Sequence, residues 1–96
     1  MIVAKNEEDT IGNIVDNCKP YGKVFVVNDN STDSTLTILR KKKINIVTNR
    51  KSLGYGCSVL KGIKEIVLKK FTHLVMLDAD GEHNPKYIKE FIKKLK

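Results

Sequence analysis

The sequence has few of the features that mark membrane, secreted or disulfide-rich proteins. Its longest unbroken apolar runs contain four residues, whereas a bilayer-spanning helix needs about 20. The apolar stretch at Met1 ends at Ala4, too short for the apolar core of a signal peptide, so no secretory signal peptide is expected. The two cysteines, Cys18 and Cys57, form no CxxC motif, which argues against a disulfide scaffold or a Cys-rich zinc site. We therefore expect a cytoplasmic protein in a reducing compartment.

Acidic residues are scarce relative to basic ones. Eighteen Lys and Arg against eleven Asp and Glu give a formal net charge of +7, which favours anionic partners such as phosphates or an anionic membrane surface. Sixteen of the eighteen are lysines, and many lie at expected helix ends, where they complement the helix dipole and are usually solvated. With only two arginines and 6% aromatic residues, nucleic acid is not the favoured partner.

Short apolar segments alternate with helical patterns along the whole chain. The expected strands are residues 1–4, 24–27, 44–47 and 74–77, and apolar residues recur at helical spacing after each of them. Regular alternation predicts an α/β fold, a three-layer sandwich with a mostly parallel sheet and helices on both faces. We expect one domain covering residues 1–96.

Capping residues and apolar spacing predict where the helices begin and which faces they bury. Leu60, Ile63 and Val67 are expected to form the buried face of the third helix. The expected apolar stripe of the last helix is Tyr87, Ile88, Phe91, Ile92 and Leu95. The residues expected to begin helices are Asn6 for the first, Ser31 or Thr32 for the second, and Asn84 with Pro85 for the last.

Acidic and amide residues follow three of the four expected strands. In parallel sheets, ligands bind beyond the carboxyl ends of the strands, so these residues are expected to converge on one crevice. Asp78 and Asp80 leave the fourth strand two residues apart and can point the same way. Two such carboxylates can hold Mg²⁺ or Mn²⁺ with waters and phosphate oxygens, or they can simply be solvated turn residues.

Two other loops carry more ambiguous signals. Asp29 could accept a hydrogen bond from a nucleotide base or ribose, or it could form an Asx-turn or helix cap. The segment Gly54-Tyr55-Gly56 could cradle a phosphate, although a simple tight turn is the favoured interpretation.

Four segments taken together resemble family 2 glycosyltransferases, and most closely the dolichol-phosphate mannosyltransferase-like branch. Each segment lies at an expected strand end, and four motifs in this order are more specific than any one alone. The resemblance covers nearly all of the chain. The segments are IVAKNEE at residues 2–8, VVNDNSTDST at 26–35, LGYG at 53–56 and LDADGEHNP at 77–85.

The resemblance implies a GT-A fold, of which this chain is the Rossmann-like nucleotide-binding half. It also implies a UDP- or GDP-linked sugar donor, Mg²⁺ or Mn²⁺ as the metal, and a lipid-phosphate or saccharide acceptor. A lipid-phosphate acceptor would place the protein at the periphery of a membrane. The implied nucleotide-sugar contacts are Ala4, Asn6, Glu7, Asp29, Asp78 and Ala79. The implied metal contacts are Asp78, Asp80 and Glu82.

The chain departs from the family pattern in length and at several positions. Family catalytic domains are about twice this size or more, so we expect a truncated domain whose acceptor half and catalytic base lie outside these residues. No catalytic residue is assigned, and a homodimer or a partner half could cover the exposed sheet edge. The alternative is a non-catalytic remnant or basic module that binds phosphate-rich partners. The atypical positions are Val3, Lys5, Asn28, Asn30 and Ser52.

Overall fold

The computed structural model describes residues 1–80 and 84–95. Four strands form one sheet in the order β3-β2-β1-β4, and every pair is parallel. The expected α/β architecture is confirmed, and the sheet is parallel throughout. The strands are β1 (Ile2–Ala4), β2 (Phe25–Asn28), β3 (Asn45–Thr48) and β4 (Leu77–Asp78).

Helices cover both faces of this sheet. The main core joins apolar side chains of β1 and β2 to those of α1, α2 and α4, whereas α3 contacts β1 and β2 from the other face. A short 3₁₀ turn, Lys19–Tyr21, follows α1. The helices are α1 (Ile11–Cys18), α2 (Thr35–Arg40), α3 (Tyr55–Val67) and α4 (Tyr87–Leu95).

The first two helices begin later than the capping residues predicted. The helix α1 begins at Ile11 with Thr10 as its N-cap, so the prediction that Asn6 caps it is wrong. Asn6 has a φ of 55°, and its side chain binds another loop instead. The helix α2 begins after Ser34, so Ser31 and Thr32 do not cap it either.

The buried face of α3 also differs from the prediction. Leu60 and Val67 are 62% and 68% exposed, and the helix buries Ser58, Gly62 and Ile66 instead. A Cβ atom at Gly62 would lie 2.9 Å from Cγ2 of Val27 and closer still to the sulfur of Met1. The helix therefore packs so close to the sheet that small residues, spaced four apart, form the contact.

The later elements follow the prediction with shifted boundaries. The strand β4 starts at Leu77, three residues after the expected start, and pairs with β1 through only two residues. Asn84 accepts a hydrogen bond from the backbone N–H of Lys86 at 3.0 Å, but α4 begins at Tyr87. Asn84 and Pro85 therefore lie in the turn before α4, and the prediction that they begin the helix is wrong. Ile88 is buried and Ile92 packs against the core, as predicted, whereas Tyr87 and Phe91 of the same expected stripe are 59% and 56% exposed.

The parallel topology gives the molecule two distinct edges. The loops that follow the strands meet at the carboxyl edge, and the connections that lead into the strands meet at the amino edge. Among the described residues, no helix is long and apolar enough to cross a membrane. The carboxyl edge consists of residues 5–10, 29–34, 49–54 and 78–80. The amino edge consists of residues 19–24, 40–44 and 67–75.

Candidate functional site

The loop after β1 is bound to the loop after β2 through Asn6. The backbone N–H of Asn6 donates to Oγ of Ser31 at 3.0 Å. Its side-chain Oδ1 accepts from the backbone N–H of Thr32 at 2.8 Å and, at 3.4 Å, from that of Asp33. Asn6 adopts a left-handed backbone conformation to do so, which asparagine tolerates better than most residues.

The residues after Asn6 continue this connection in both directions. Glu8 donates its backbone N–H to the carboxylate of Asp33, and its own carboxylate accepts from the backbone N–H of Ser34 at 3.0 Å. The backbone N–H of Glu7 donates to Oγ1 of Thr35 at 2.9 Å, and that hydroxyl donates to Asp33 at 2.6 Å. We call these hydrogen bonds between residues 6–8 and 31–35 the Asn6 network.

Asp33 is the carboxylate at the centre of the Asn6 network. Desolvation opposes its ionisation, but hydrogen bonds from the hydroxyl and backbone N–H of Thr35 and from the backbone N–H of Glu8 outweigh that effect. They hold the pKa of the Asp33 carboxyl below its ordinary value. We predicted no role for this residue from the sequence. Two of its three donors belong to Thr35, two residues along the chain, whereas Glu8 becomes a neighbour only when β1 and β2 pair.

Asp29 connects the loop after β2 to the loop after β3. The side chain is 3% exposed, and its Oδ1 accepts from the amide of Asn49 at 2.9 Å and from the backbone N–H of Leu53 at 2.8 Å. Its Oδ2 accepts from the backbone N–H of Gly54 at 3.0 Å. The expected Asx-turn or helix cap is therefore not the role of this side chain.

Asn49 extends this connection to helix α3. Its amide also donates to Oγ of the buried Ser58, and its Oδ1 accepts from Nζ of Lys61, both at 2.9 Å. Both ends of the buried amide are thereby satisfied, which avoids the cost of an unpaired buried polar group. We call this group the Asp29 network. It consists of Asp29, Asn49, Leu53, Gly54, Ser58 and Lys61.

The hydrogen bonds to Asp29 keep its carboxyl ionised. Burial raises the cost of the charge, but the donors from Leu53, Asn49 and Gly54, helped by the charge of Lys5, outweigh it. They hold the pKa of Asp29 below its ordinary value. An ionised carboxylate offers about four lone-pair positions, and these three donors use three of them. Asp29 therefore retains the capacity to accept one further donor.

Gly54 shapes the start of α3. It is the N-cap of the helix and has a φ of 85°, a conformation that favours glycine. The positive φ that a glycine permits is therefore used here, and the phosphate cradle stays a prediction. The Asp29 carboxylate accepts the N–H groups of Leu53 and Gly54, so the same contact holds the turn against the end of β2.

The fourth loop joins the carboxyl edge through backbone carbonyls. Asp78 is the last residue of β4 and pairs in register with Val3. Ala79 is buried, and its carbonyl accepts from the hydroxyl of Thr10 at 2.5 Å. The carbonyl of Ala4 accepts from the backbone N–H of Asp29 at 2.8 Å. The structure thus brings the predicted residues of the first, second and fourth loops to one edge.

The predicted metal ligands are only partly described. Asp78 is half-buried and Asp80 is exposed, both at the end of β4, whereas Glu82 and His83 lie outside the described residues. Within residues 1–80 and 84–95, no group of three or more His, Cys, Asp or Glu side chains could hold a metal ion. The described donor set is two carboxylates, which suits Mg²⁺ or Mn²⁺ only when waters and substrate oxygens complete the coordination.

Sequence reasoning missed the residues that connect the loops. Asn49, Ser58 and Thr35 are all buried polar residues with hydrogen-bond partners. Asn49 follows a strand directly, as Asp29 does, and that position was the available signal. Ser58 lies in a helix pattern and gave no sign of a role outside it.

Comparison with known proteins adds to this geometry. The family model for glycosyl transferase family 2 matches residues 1–96. Two uncharacterized proteins of Methanocaldococcus jannaschii are similar to this chain. MJ1222 is 34% identical over 97% of the chain, and MJ0544 is 32% identical over 99% of it. The chain spans 39% and 45% of their respective lengths.

Solved structures share the fold at low sequence identity. A mycobacterial protein and glucosyl-3-phosphoglycerate synthase from Mycobacterium tuberculosis, the latter in complex with UDP, each match with a TM-score of 0.71 and 20% identity. Each match covers 98% of this chain, and 35% and 38% of those chains respectively. The four-stranded parallel sheet with flanking helices agrees with the GT-A fold that the motifs implied. The chain belongs to glycosyl transferase family 2.

Proposed function

We propose that the carboxyl edge binds a nucleoside-diphosphate sugar, linked to UDP or GDP, as the donor site of a glycosyltransferase. The observation that carries this proposal is the convergence of four loops at that edge, joined by the Asn6 and Asp29 networks. Membership of glycosyl transferase family 2 supports it, as does the fold shared with a synthase whose structure contains UDP.

The proposed contacts follow from where the structure places each side chain. Asp29 retains one acceptor position, which suits an N–H or O–H donor of the nucleoside. Glu7 belongs to the first loop, which its backbone N–H joins to Thr35, and family resemblance supports a contact of its side chain with the donor. Asn6 already accepts from the chain itself, so we assign it to shaping the site.

The proposed metal site is at the end of β4. Asp78 and Asp80 would contact Mg²⁺ or Mn²⁺, with Glu82 as a further ligand by family resemblance. The ion would neutralise the diphosphate, which would make it a better leaving group. The carboxylates at this edge would otherwise repel a diphosphate, so a bridging cation resolves that conflict.

The acceptor and the branch of the family are further parts of the proposal. The motifs favour the dolichol-phosphate mannosyltransferase-like branch, in which the acceptor is a lipid phosphate, and a saccharide is the other acceptor class. In this proposal the 96 residues supply the donor half of a truncated domain, and a second half or partner supplies the acceptor site and catalytic base.

Isothermal titration of UDP, GDP and their sugar conjugates, with and without Mn²⁺, tests the donor site. We expect binding that requires Mn²⁺ and is lost in Asp80→Asn. The matched control is Glu65→Gln, which removes one exposed carboxylate on α3, and it should bind as the original chain does.

Two results would contradict the donor site. The first is no nucleotide binding by a chain that circular dichroism shows to be folded. The second is equal Mn²⁺-dependent binding by the original chain and Asp80→Asn. Either result would favour the alternative, a non-catalytic remnant that retains the fold.

A further inference from the structure

Charge is divided unevenly between the two edges of the sheet. The amino edge has eight basic residues and no acidic residue, whereas the described carboxyl edge has seven acidic and three basic residues. The basic residues of the amino edge are Lys19, Lys23, Arg40, Lys41, Lys42, Lys43, Lys69 and Lys70. The acidic residues of the carboxyl edge are Glu7, Glu8, Asp9, Asp29, Asp33, Asp78 and Asp80.

Large apolar side chains are exposed among these lysines. Val67 and Leu68 are 68% and 77% exposed at the end of α3, directly before Lys69 and Lys70. Phe71 follows and is also exposed, although one side of its ring packs on Phe25, with ring centroids 5.7 Å apart. Helix-end lysines are expected to be solvated, but that expectation does not account for apolar side chains interleaved with them.

Other contacts confirm that this segment lies at the amino edge. The amino group of Met1, which precedes β1, donates to the carbonyl of Val75 at 2.7 Å. A cavity of about 210 Å³ lies at this edge, and its lining includes Lys23, Phe71 and Leu74. Lys23, in the turn before β2, and apolar residues that follow α3 therefore border the same cavity.

We propose that the amino edge is a docking face for an anionic phospholipid bilayer. Exposed lysines are attracted to anionic headgroups, and the exposed apolar side chains of Val67 and Leu68, next to Lys69 and Lys70 in the chain, can enter the boundary between headgroups and acyl chains. A duplex nucleic acid would use the lysines but would gain nothing from Val67 and Leu68. The combination of charge and apolar exposure thus favours the bilayer.

Docking by the amino edge has a consequence for the proposed donor site. It would point the carboxyl edge away from the bilayer and into the aqueous phase, where nucleotide sugars are dissolved. Of the two acceptor classes proposed above, a soluble saccharide could reach a site in this orientation more readily than a lipid phosphate of the same bilayer. The docking itself does not depend on nucleotide binding.

Cosedimentation with vesicles tests the docking face without any nucleotide. We expect the full chain to bind phosphatidylcholine vesicles that contain phosphatidylglycerol, and to bind pure phosphatidylcholine vesicles weakly. Lys41→Glu/Lys69→Glu should weaken that binding at least about tenfold, because each basic residue near an anionic surface contributes measurably. Leu68→Asn should weaken it less, and without changing its salt dependence.

The matched control is Lys51→Glu/Lys86→Glu, which makes the same charge change at exposed positions away from the amino edge. It should retain most of the binding, and circular dichroism should show every variant folded. If Lys41→Glu/Lys69→Glu unfolds the chain, Lys41→Gln/Lys69→Gln replaces it and should also weaken vesicle binding. Equal losses in both pairs would overturn the proposal, since net charge alone would then explain binding.

Two further results would also overturn it. One is no binding to anionic vesicles by the folded chain. The other is binding to a DNA duplex that Lys41→Glu/Lys69→Glu abolishes, together with vesicle binding that Leu68→Asn leaves unchanged. UDP binding in the presence of Mn²⁺ should be the same in the original chain, in Lys41→Glu/Lys69→Glu and in Leu68→Asn. This titration therefore separates a failure of docking from a failure of the donor site.

Discussion

The two edges of the sheet use polar residues in opposite ways. At the carboxyl edge, carboxylates and amides accept hydrogen bonds from backbone groups of neighbouring loops, as Asp29 and Asn6 do. At the amino edge most lysines are exposed, and the ion pair recorded there joins Lys42 to Asp16 at 2.8 Å. The polar groups of the carboxyl edge bind other parts of the chain, whereas most of the basic groups of the amino edge face solvent and can bind another molecule.

A charged side chain therefore contributes to stability according to its burial and its partners, and the two edges differ in both. A buried carboxylate with several donors leaves those donors unsatisfied when it is removed. An exposed ammonium leaves nothing unsatisfied, because water replaces it. Substitutions at the carboxyl edge should therefore cost stability, and those at the amino edge should not.

The largest effect is expected at Asp29. Asp29→Ala should lower the free energy of unfolding by about 3 kcal/mol, since the buried amide of Asn49 and the part-buried N–H groups of Leu53 and Gly54 lose their acceptor. Urea unfolding followed by circular dichroism measures this. Asp16→Ala, which removes an exposed carboxylate, should cost less than about 1 kcal/mol. Equal costs would remove the distinction between structural and solvent-facing carboxylates.

Acid should weaken the carboxyl edge selectively. The folded pKa of Asp29 and of Asp33 lies below the unfolded value, so their contribution is complete above the ordinary Asp pKa of about 3.9. It is lost as the pH falls through that value towards the lower folded pKa. Urea midpoints measured from neutral pH to about pH 3 should fall most steeply below about pH 4. Asp29→Asn should show a shallower fall, and an identical profile would contradict this assignment.

A smaller effect is expected at Asn6, where two causes can be separated. Asn6→Gly retains the left-handed backbone but removes the acceptor of Thr32, and it should cost about 1 kcal/mol. Asn6→Ala adds the strain of that backbone and should cost about 1 kcal/mol more. Thermal or urea unfolding of the two variants gives the difference. If alanine were tolerated as well as glycine, the φ of 55° would carry no cost.

The smallest effect is expected at the amino edge. Lys41→Gln/Lys69→Gln should leave the free energy of unfolding within about 0.5 kcal/mol of the original, because both side chains are exposed. The same urea measurement applies. A loss as large as that of Asp29→Ala would mean that these lysines belong to the folded framework, and would remove the reason to look for an outside partner.

Much of the fold could be predicted from the sequence because each element has a local pattern. The four apolar segments became strands within a few residues of their expected bounds, and Ile11, Ile14 and Val15 are buried as their spacing indicated. The face of α3 could not be predicted in the same way. Its packing depends on the space that Met1 and Val27 leave for Gly62, and that space is a property of the assembled sheet.

The candidate site was predictable in position but not in its internal connections. The rule that ligands bind at the carboxyl ends of parallel strands located Asp29 and Asp78 correctly at one edge. It could not show that Asn49 would bind Asp29, or that Thr10 would reach the carbonyl of Ala79, because those partners are distant in sequence. The roles of these residues towards a ligand stay predictions.

The Asn6 network also has a consequence for the order in which the chain folds. Its hydrogen bonds join groups 25 to 28 residues apart, so they cannot form until β1 lies beside β2. Local turns and helices can appear earlier, since contacts between distant segments must first overcome the entropy of loop closure. The edge that carries the candidate site is thus completed late in folding, and an intact site there is a signature of a fully assembled sheet.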